Sequence, residues 1–166
     1  NVPHLVTALA KMRAGGRFPH RLVIVGLNTT QIDIPAMARE LGIAEAVKYY
    51  PYVADDDLAL LYNAAEAFVL PYSYESAASL TLLEAQAAGT AVITAGTVGL
   101  RQAAGDAALF VPDVEPASLA KAMREIADCP HVRSDLVSLG SANAAAYTWE
   151  RCSAKVLDIC REAAAG

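Results

Sequence analysis

Two carboxylates, Glu75 and Glu84, stand in the segment Pro71–Gly89, PYSYESAASLTLLEAQAAG, with small residues between them. The segment follows a short apolar run, Ala67-Phe68-Val69-Leu70, that reads as a buried strand. It closes on a helical pattern from Leu82 to Ala88 that ends at Gly89. A helix beginning near Ser79–Thr81 would have opening amides without intrahelical partners. Those amides, with the helix dipole behind them, could donate to a diphosphate. Small side chains at Ser76, Ala77, Ala78 and Ser79 would let such a ligand approach the backbone. Glu84 falls about one turn inside the helix, where a carboxylate could accept both hydroxyls of a ribose. The competing reading is an ordinary surface helix with Glu84 in water.

The other chemistry-bearing groups are weaker. Asp55-Asp56-Asp57 invites a divalent cation, yet Leu58, Leu60 and Leu61 follow at once, so a helix start is the stronger reading. Gly26-Leu27-Asn28 after a strand is a fragment of a glycine-rich turn; the full dinucleotide pattern is absent. Asn28-Thr29-Thr30 fits a glycosylation acceptor triplet without secretory context. His4, His20 and His131 lack ligand spacing and read as surface or satisfied histidines. Trp149 reads as a packing anchor for the last helix. Cys129, Cys152 and Cys160 show no metal or redox spacing, which suits a reduced, cytosolic compartment; Cys152 and Cys160 read as small apolar residues of one helix.

The elements that would position these groups alternate along the chain. Helical spacing runs through Leu5, Leu9 and Met12 to Gly15-Gly16, and Leu22–Gly26 is an apolar strand. A helix around Pro35, Met37 and Leu41 precedes a strand at Val47–Tyr50; a helix over Asp55–Ala64 precedes the Ala67–Leu70 strand. Ala91–Ile93 and Ala107–Val111 are further strands, separated by a short helix or turn at Gly99–Ala104. Helices from Pro116, over Arg133–Tyr147 and over Trp149–Ala164 complete the chain. Strand–helix alternation with short connections predicts an α/β fold, a doubly wound parallel sheet. Ligands of such sheets bind beyond the carboxyl ends of the strands. Gly26–Thr30, Pro51–Ala54, Pro71–Thr81 and Thr94–Gly99 would share that rim.

The 166 residues make one domain, 1–166, large enough to hold a core without disulfide or metal. A net charge of −5 without a Lys/Arg cluster argues against nucleic acid as partner. No apolar run reaches the roughly 18 residues that span a bilayer. The chain opens in helical pattern at Asn1 without Met, which predicts a segment of a longer protein.

Taken in order, these residues resemble the C-terminal domain of a GT-B-fold, retaining glycosyltransferase of family four. Leu22–Gly26 is similar to that family's L-x-I-V-G strand. Leu58–Pro71 is similar to its L-x-x-L-Y-x-x-A-D-x-F-V-x-P, and Leu80–Gly89 to its G-L-x-x-L-E-A-M-A-x-G. Gly105–Pro112 is similar to G-D-A-G-L-L-V-P, and Thr148-Trp149-Glu150 to the opening of the last helix. The resemblance implies a Rossmann-like half of a GT-B fold lacking its first strand. It implies a nucleoside-diphosphate sugar as donor, no metal or other cofactor, and a parent enzyme that transfers a hexose-type sugar with retention. Glu84 would bind the donor ribose, and Ser79, Leu80 and Thr81 the diphosphate. Glu75 would contact the donor sugar as the catalytic carboxylate, Tyr52 and Val53 would lie near the base, and Gly26, Asn28 and Ser76 would complete the donor rim. An N-terminal acceptor domain, with any membrane-peripheral contact, would lie outside this chain, as would the family's diphosphate-binding Arg and Lys just before residue 1. The fragment alone would then be inactive.

Three departures from the pattern matter. Glu75 is one residue farther from Glu84 than the family spacing, with Ser76 at the expected place. Ser76–Leu80 replaces a glycine-rich turn, and Gln102 replaces a carboxylate. They leave two other functions open: a nucleotide-binding or regulatory module without catalysis, and an interaction domain without ligand.

Overall fold

A computed structural model describes residues 1–16, 18–27, 32–74 and 79–165. Helix α1 (Val2–Ala14) leads into strand β1 (Leu22–Val25), helix α2 (Ile34–Glu40), a 3-10 turn at Ala44–Ala46 and strand β2 (Val47–Tyr50). Helix α3 (Asp55–Ala64), strand β3 (Ala67–Leu70), helix α4 (Leu80–Ala87) and strand β4 (Ala91–Ala95) follow. Helix α5 (Val98–Ala104), strand β5 (Leu109–Val111) and helices α6 (Pro116–Asp128), α7 (Pro130–Ala145) and α8 (Trp149–Ala165) complete the order. Local chemistry sets several boundaries. Asp33 accepts the Ala36 amide at 2.8 Å to cap α2, Thr97 caps α5, and prolines open α6 and α7.

Among the described residues all strand pairings are parallel, and they form two ladders. β1 pairs with β2, Leu22 opposite Val47. β3, β4 and β5 pair in that order, Ala67 opposite Ala91 and Ile93 opposite Leu109. β1 and β3 are not hydrogen-bonded neighbours, so the ladder is divided where an architecture lacking its first strand would divide it.

The central strand β4 is buried along its whole length. Ala91, Ile93 and Ala95 face α1, α6 and α7, packed with Leu5, Leu119, Ile126 and Leu136. Val92 faces α3, α4 and α5, packed with Tyr62, Leu82 and Leu100. Successive side chains thus enter opposite layers, the arrangement of a sheet covered on both faces. A third cluster joins α1, α2 and β2 through Leu9, Phe18, Ile34 and Val47. β1 departs from the buried-run expectation: Val23 and Val25 are exposed while Leu22 and Ile24 pack inward. The β1–β2 ribbon is buried on one face only, which reproduces the alternation of a half-covered strand.

At the amino ends of β1 and β3, Glu66 binds His20 Nε2 at 2.7 Å and Arg133 at 3.0 Å. This cluster links the two ladders and α7. Its members are about one-third to two-fifths exposed. Glu66→Ala is therefore expected to lower stability by only about 0.5–1 kcal/mol, measured by urea unfolding.

α8 corrects one expectation. It buries no residue, and Trp149 is exposed rather than an anchor; Cys152 and Cys160 share this helix, as their spacing predicts, and are exposed too. Its apolar Val156, Leu157 and Ile159 find no partner among the described residues that would bury them. Among the described residues no helix is long and apolar enough to cross a membrane.

Candidate functional site

The carboxyl ends of the strands carry the expected rim. β1 is followed by Gly26, whose φ of 129° lies where side-chain-bearing residues are strained. Its amide donates to Tyr50 O at 3.0 Å, extending the β1–β2 ladder. Its carbonyl accepts the Tyr49 hydroxyl at 3.0 Å. After β2 the chain turns over Tyr52, which is 78% exposed, and half-buried Val53, into α3. Asp55, Asp56 and Asp57 occupy the first turn of α3, with Ala54 as cap. Among the described residues no three His, Cys, Asp or Glu side chains converge on a metal position.

α4 opens at the same rim, after β3. Its cap residue Ser79 makes no side-chain bond to the helix amides; its hydroxyl instead pairs with the Thr81 hydroxyl at 2.9 Å. The amides of Leu80, Thr81 and Leu82 precede the first intrahelical bond, which runs from Leu83 N to Ser79 O. Leu80 and Thr81 are exposed. One turn on, Glu84 directs its carboxylate toward α3, where Oε2 accepts the Tyr62 hydroxyl at 3.2 Å. Glu84 is exposed whereas Tyr62 is buried, so the carboxylate rests on a fixed donor while remaining open to ligand.

Two further features border this rim. Asn1 stands at the N-cap of α1, but its side chain makes no bond to the helix amides; the side-chain amide instead donates to Pro71 O at 2.8 Å and Ser73 Oγ at 3.0 Å, fixing the exit of β3. His4 Nδ1 lies 2.8 Å from Val114 O and, since a carbonyl only accepts, carries the proton there. Beyond β4 and β5 lies an open depression of about 290 Å³ lined by Ser73, Gly96, Thr97, Arg101 and Asp113. The Arg101 guanidinium stacks over Phe110 at 4.4 Å and its Nε donates to Gly96 O at 3.1 Å. The Asp113 carboxyl is held below its ordinary pKa, first by the Ser118 hydroxyl and then by the Glu115 amide.

The structure places Gly26 after β1, Tyr52 and Val53 after β2, and Ser79, Leu80, Thr81 and Glu84 at the opening and first turn of α4. Glu75, Ser76 and Asn28 lie outside the described residues. Sequence reasoning did not single out Tyr62, Asn1 or Arg101. The signal for Tyr62 was present in the Leu61-Tyr62-Asn63 pattern, but its partner follows only once α3 and α4 flank the same strand.

The model of the family described as glycosyl transferases group 1 matches residues 1–141. The chain belongs to that family. Among curated relatives of this group 1 domain, the D-inositol 3-phosphate glycosyltransferase of Acidothermus cellulolyticus is 35% identical over 158 residues. That match covers 91% of this chain and 35% of the relative, so the chain spans about a third of that protein's length. Among solved structures, sucrose-phosphate synthase from Thermosynechococcus elongatus superposes with a TM-score of 0.81 at 25% identity. It covers 99% of this chain, which corresponds to 43% of the synthase. Anabaena HepE in complex with UDP superposes with a TM-score of 0.81 at 17% identity, over 96% of this chain and 43% of its own, a likeness of fold. The group 1 chain is a Rossmann-like GT-B domain, and the Acidothermus relative and the synthase are each longer by more than a second domain of its size.

Proposed function

We propose that this chain is the donor-binding half of a glycosyltransferase. Its parent would move a hexose-type sugar from a nucleoside diphosphate to an acceptor, with retained anomeric configuration. The observation that carries this reading is the α4 opening: unpaired amides at the rim, and Glu84 one turn inside, turned toward the wall formed by α3. The amides of Leu80–Leu82 receive the diphosphate. The Glu84 carboxylate receives the ribose hydroxyls. Exposed Tyr52, with Val53 beside it, offers an apolar face to the base. Gly26 keeps the end of β1 free of a side chain where the nucleotide passes, and Asn28 and Ser76 complete the rim. Glu75 contacts the donor sugar.

The protein's contribution to the reaction is largely electrostatic. As the bond from the anomeric carbon to the diphosphate breaks, negative charge grows on the leaving oxygen, and preorganised amide donors stabilise it without reorganising. The acceptor arrives from an N-terminal domain of the parent, and closure of the two domains excludes water from the activated sugar. The donor is a substrate, and the reading requires no metal or other cofactor.

Calorimetric titration of the full-length protein with UDP, GDP and ADP tests the reading; UDP is the ligand of the structurally similar HepE. One of the three is expected to bind at micromolar concentration. Binding of none of them would remove the donor-site account. The spacing of Glu75 and Glu84 and the presence of Gln102 leave one alternative, a nucleotide-binding module without catalysis, which the family match and the relatives do not favour. Binding without sugar transfer by the full-length protein would support it.

A further inference from the structure

We infer that Tyr62 is a positioning residue for the ribose contact, its hydroxyl holding the Glu84 carboxylate in the orientation that receives a vicinal diol. The inference rests on the donor-site reading above and deepens it. A glutamate on an exposed helical turn samples many side-chain rotamers, and binding one geometry costs that freedom. A vicinal diol presents two donors side by side, so the carboxylate must present two acceptor positions along one edge. The Tyr62 hydroxyl takes one lone pair of Oε2 at 3.2 Å and leaves Oε1 and the remainder of Oε2 free.

Tyr62 can act as a fixed post because it is itself held at three points. Its ring is buried, with 9% exposure, among Leu70, Leu82 and Val92. The ring meets Phe68 edge-to-face, with centroids 5.5 Å apart. Its carbonyl accepts the buried Thr90 hydroxyl at 2.6 Å, tying the end of α3 to the start of β4. Burial foremost, then the Glu84 charge and the hydrogen bond to it, raise the Tyr62 hydroxyl well above the ordinary tyrosine pKa. The group stays protonated, and so remains a donor, across the range in which the protein would be assayed.

The test compares wild type, Tyr62→Phe, Glu84→Ala and the double variant in the full-length protein. Each is titrated calorimetrically with UDP, GDP and ADP and with their 2′,3′-dideoxy counterparts. Phe keeps the buried ring and its Phe68 contact and removes only the donor. Tyr62→Phe is expected to weaken the ribonucleotide by about three- to tenfold, to leave the dideoxy affinity unchanged, and to add nothing on the Glu84→Ala background. An unchanged ribonucleotide affinity, or an equal loss for both nucleotide forms, would overturn the positioning role; a structural role alone gives the second pattern. If Glu84→Ala weakens the ribonucleotide and Tyr62→Phe does not, the Tyr62 inference fails and the ribose reading stands. If Glu84→Ala has no effect, or no nucleotide binds, the ribose reading fails and Tyr62 falls with it.

Discussion

Replacing Glu84 by Ala is expected to weaken binding of the proposed nucleoside diphosphate by about 1.5–3 kcal/mol, a tenfold to more than hundredfold loss. The size follows from what is removed. A carboxylate accepting from neutral hydroxyls makes charge-assisted bonds, stronger than those between neutral groups. The effect is expected to be confined to binding: Glu84 is exposed and the one described partner of its side chain is the Tyr62 hydroxyl, so the fold should lose little when the side chain is cut back. Equal calorimetric affinities for wild type and Glu84→Ala would show that the carboxylate does not meet the ribose. An increased affinity would show that it repels the diphosphate instead.

The second large effect concerns the seat of α4. Gln86, 1% exposed, points away from the rim into the interface between α4, α7 and the approach to β5. Its Nε2 donates to Ala107 O at 3.0 Å, and its Oε1 accepts from Asn143 Nδ2 at 2.7 Å. Asn143 also donates to Ala103 O at 2.8 Å, so three elements meet in one satisfied buried network. Gln86→Ala strips partners from the Ala107 carbonyl and the Asn143 amide and leaves a void. Each unpaired buried group costs about 1–3 kcal/mol, so a loss of about 3 kcal/mol in urea unfolding is expected. The network also explains Gly140. A Cβ there would stand 3.1 Å from Gln86 Cγ, so α7 approaches α4 closely only because that position lacks a side chain. A Gln86→Ala protein with wild-type stability would mean that water replaces the amide, and the network would then not be what seats α4.

These two residues, two apart on one helix, show what the sequence could disclose. The strand at Ala67–Leu70, the small-residue turn and the helix through Gly89 are all in the local pattern, because apolar runs and helix stops act over a few residues. Glu84 was therefore legible as a carboxylate one turn inside a helix that opens on the rim. Gln86 was not, because a glutamine among leucines and alanines reads the same whether water or Asn143, far along the chain, satisfies it. Tyr62 was hidden for the same reason: its meaning lies in a contact between α3 and α4 that no window of the sequence contains. Trp149 failed in the opposite sense. The helical spacing around it is sound, but spacing states which residues share a face and is silent on what covers that face. Val23 and Val25 repeat this lesson in β1, where an all-apolar run lies in a ladder buried on one side.

The opening amides of α4 and the carboxylate of Glu84 are proposed to form one pocket for a nucleoside diphosphate. A crystal structure of the full-length protein with UDP, or with whichever of GDP and ADP binds it, would show whether they do. The diphosphate oxygens are expected on the amides of Leu80–Leu82 and both ribose hydroxyls on Glu84, with the Tyr62 contact intact. A nucleotide seated elsewhere on the domain, with Glu84 facing solvent, would contradict this placement.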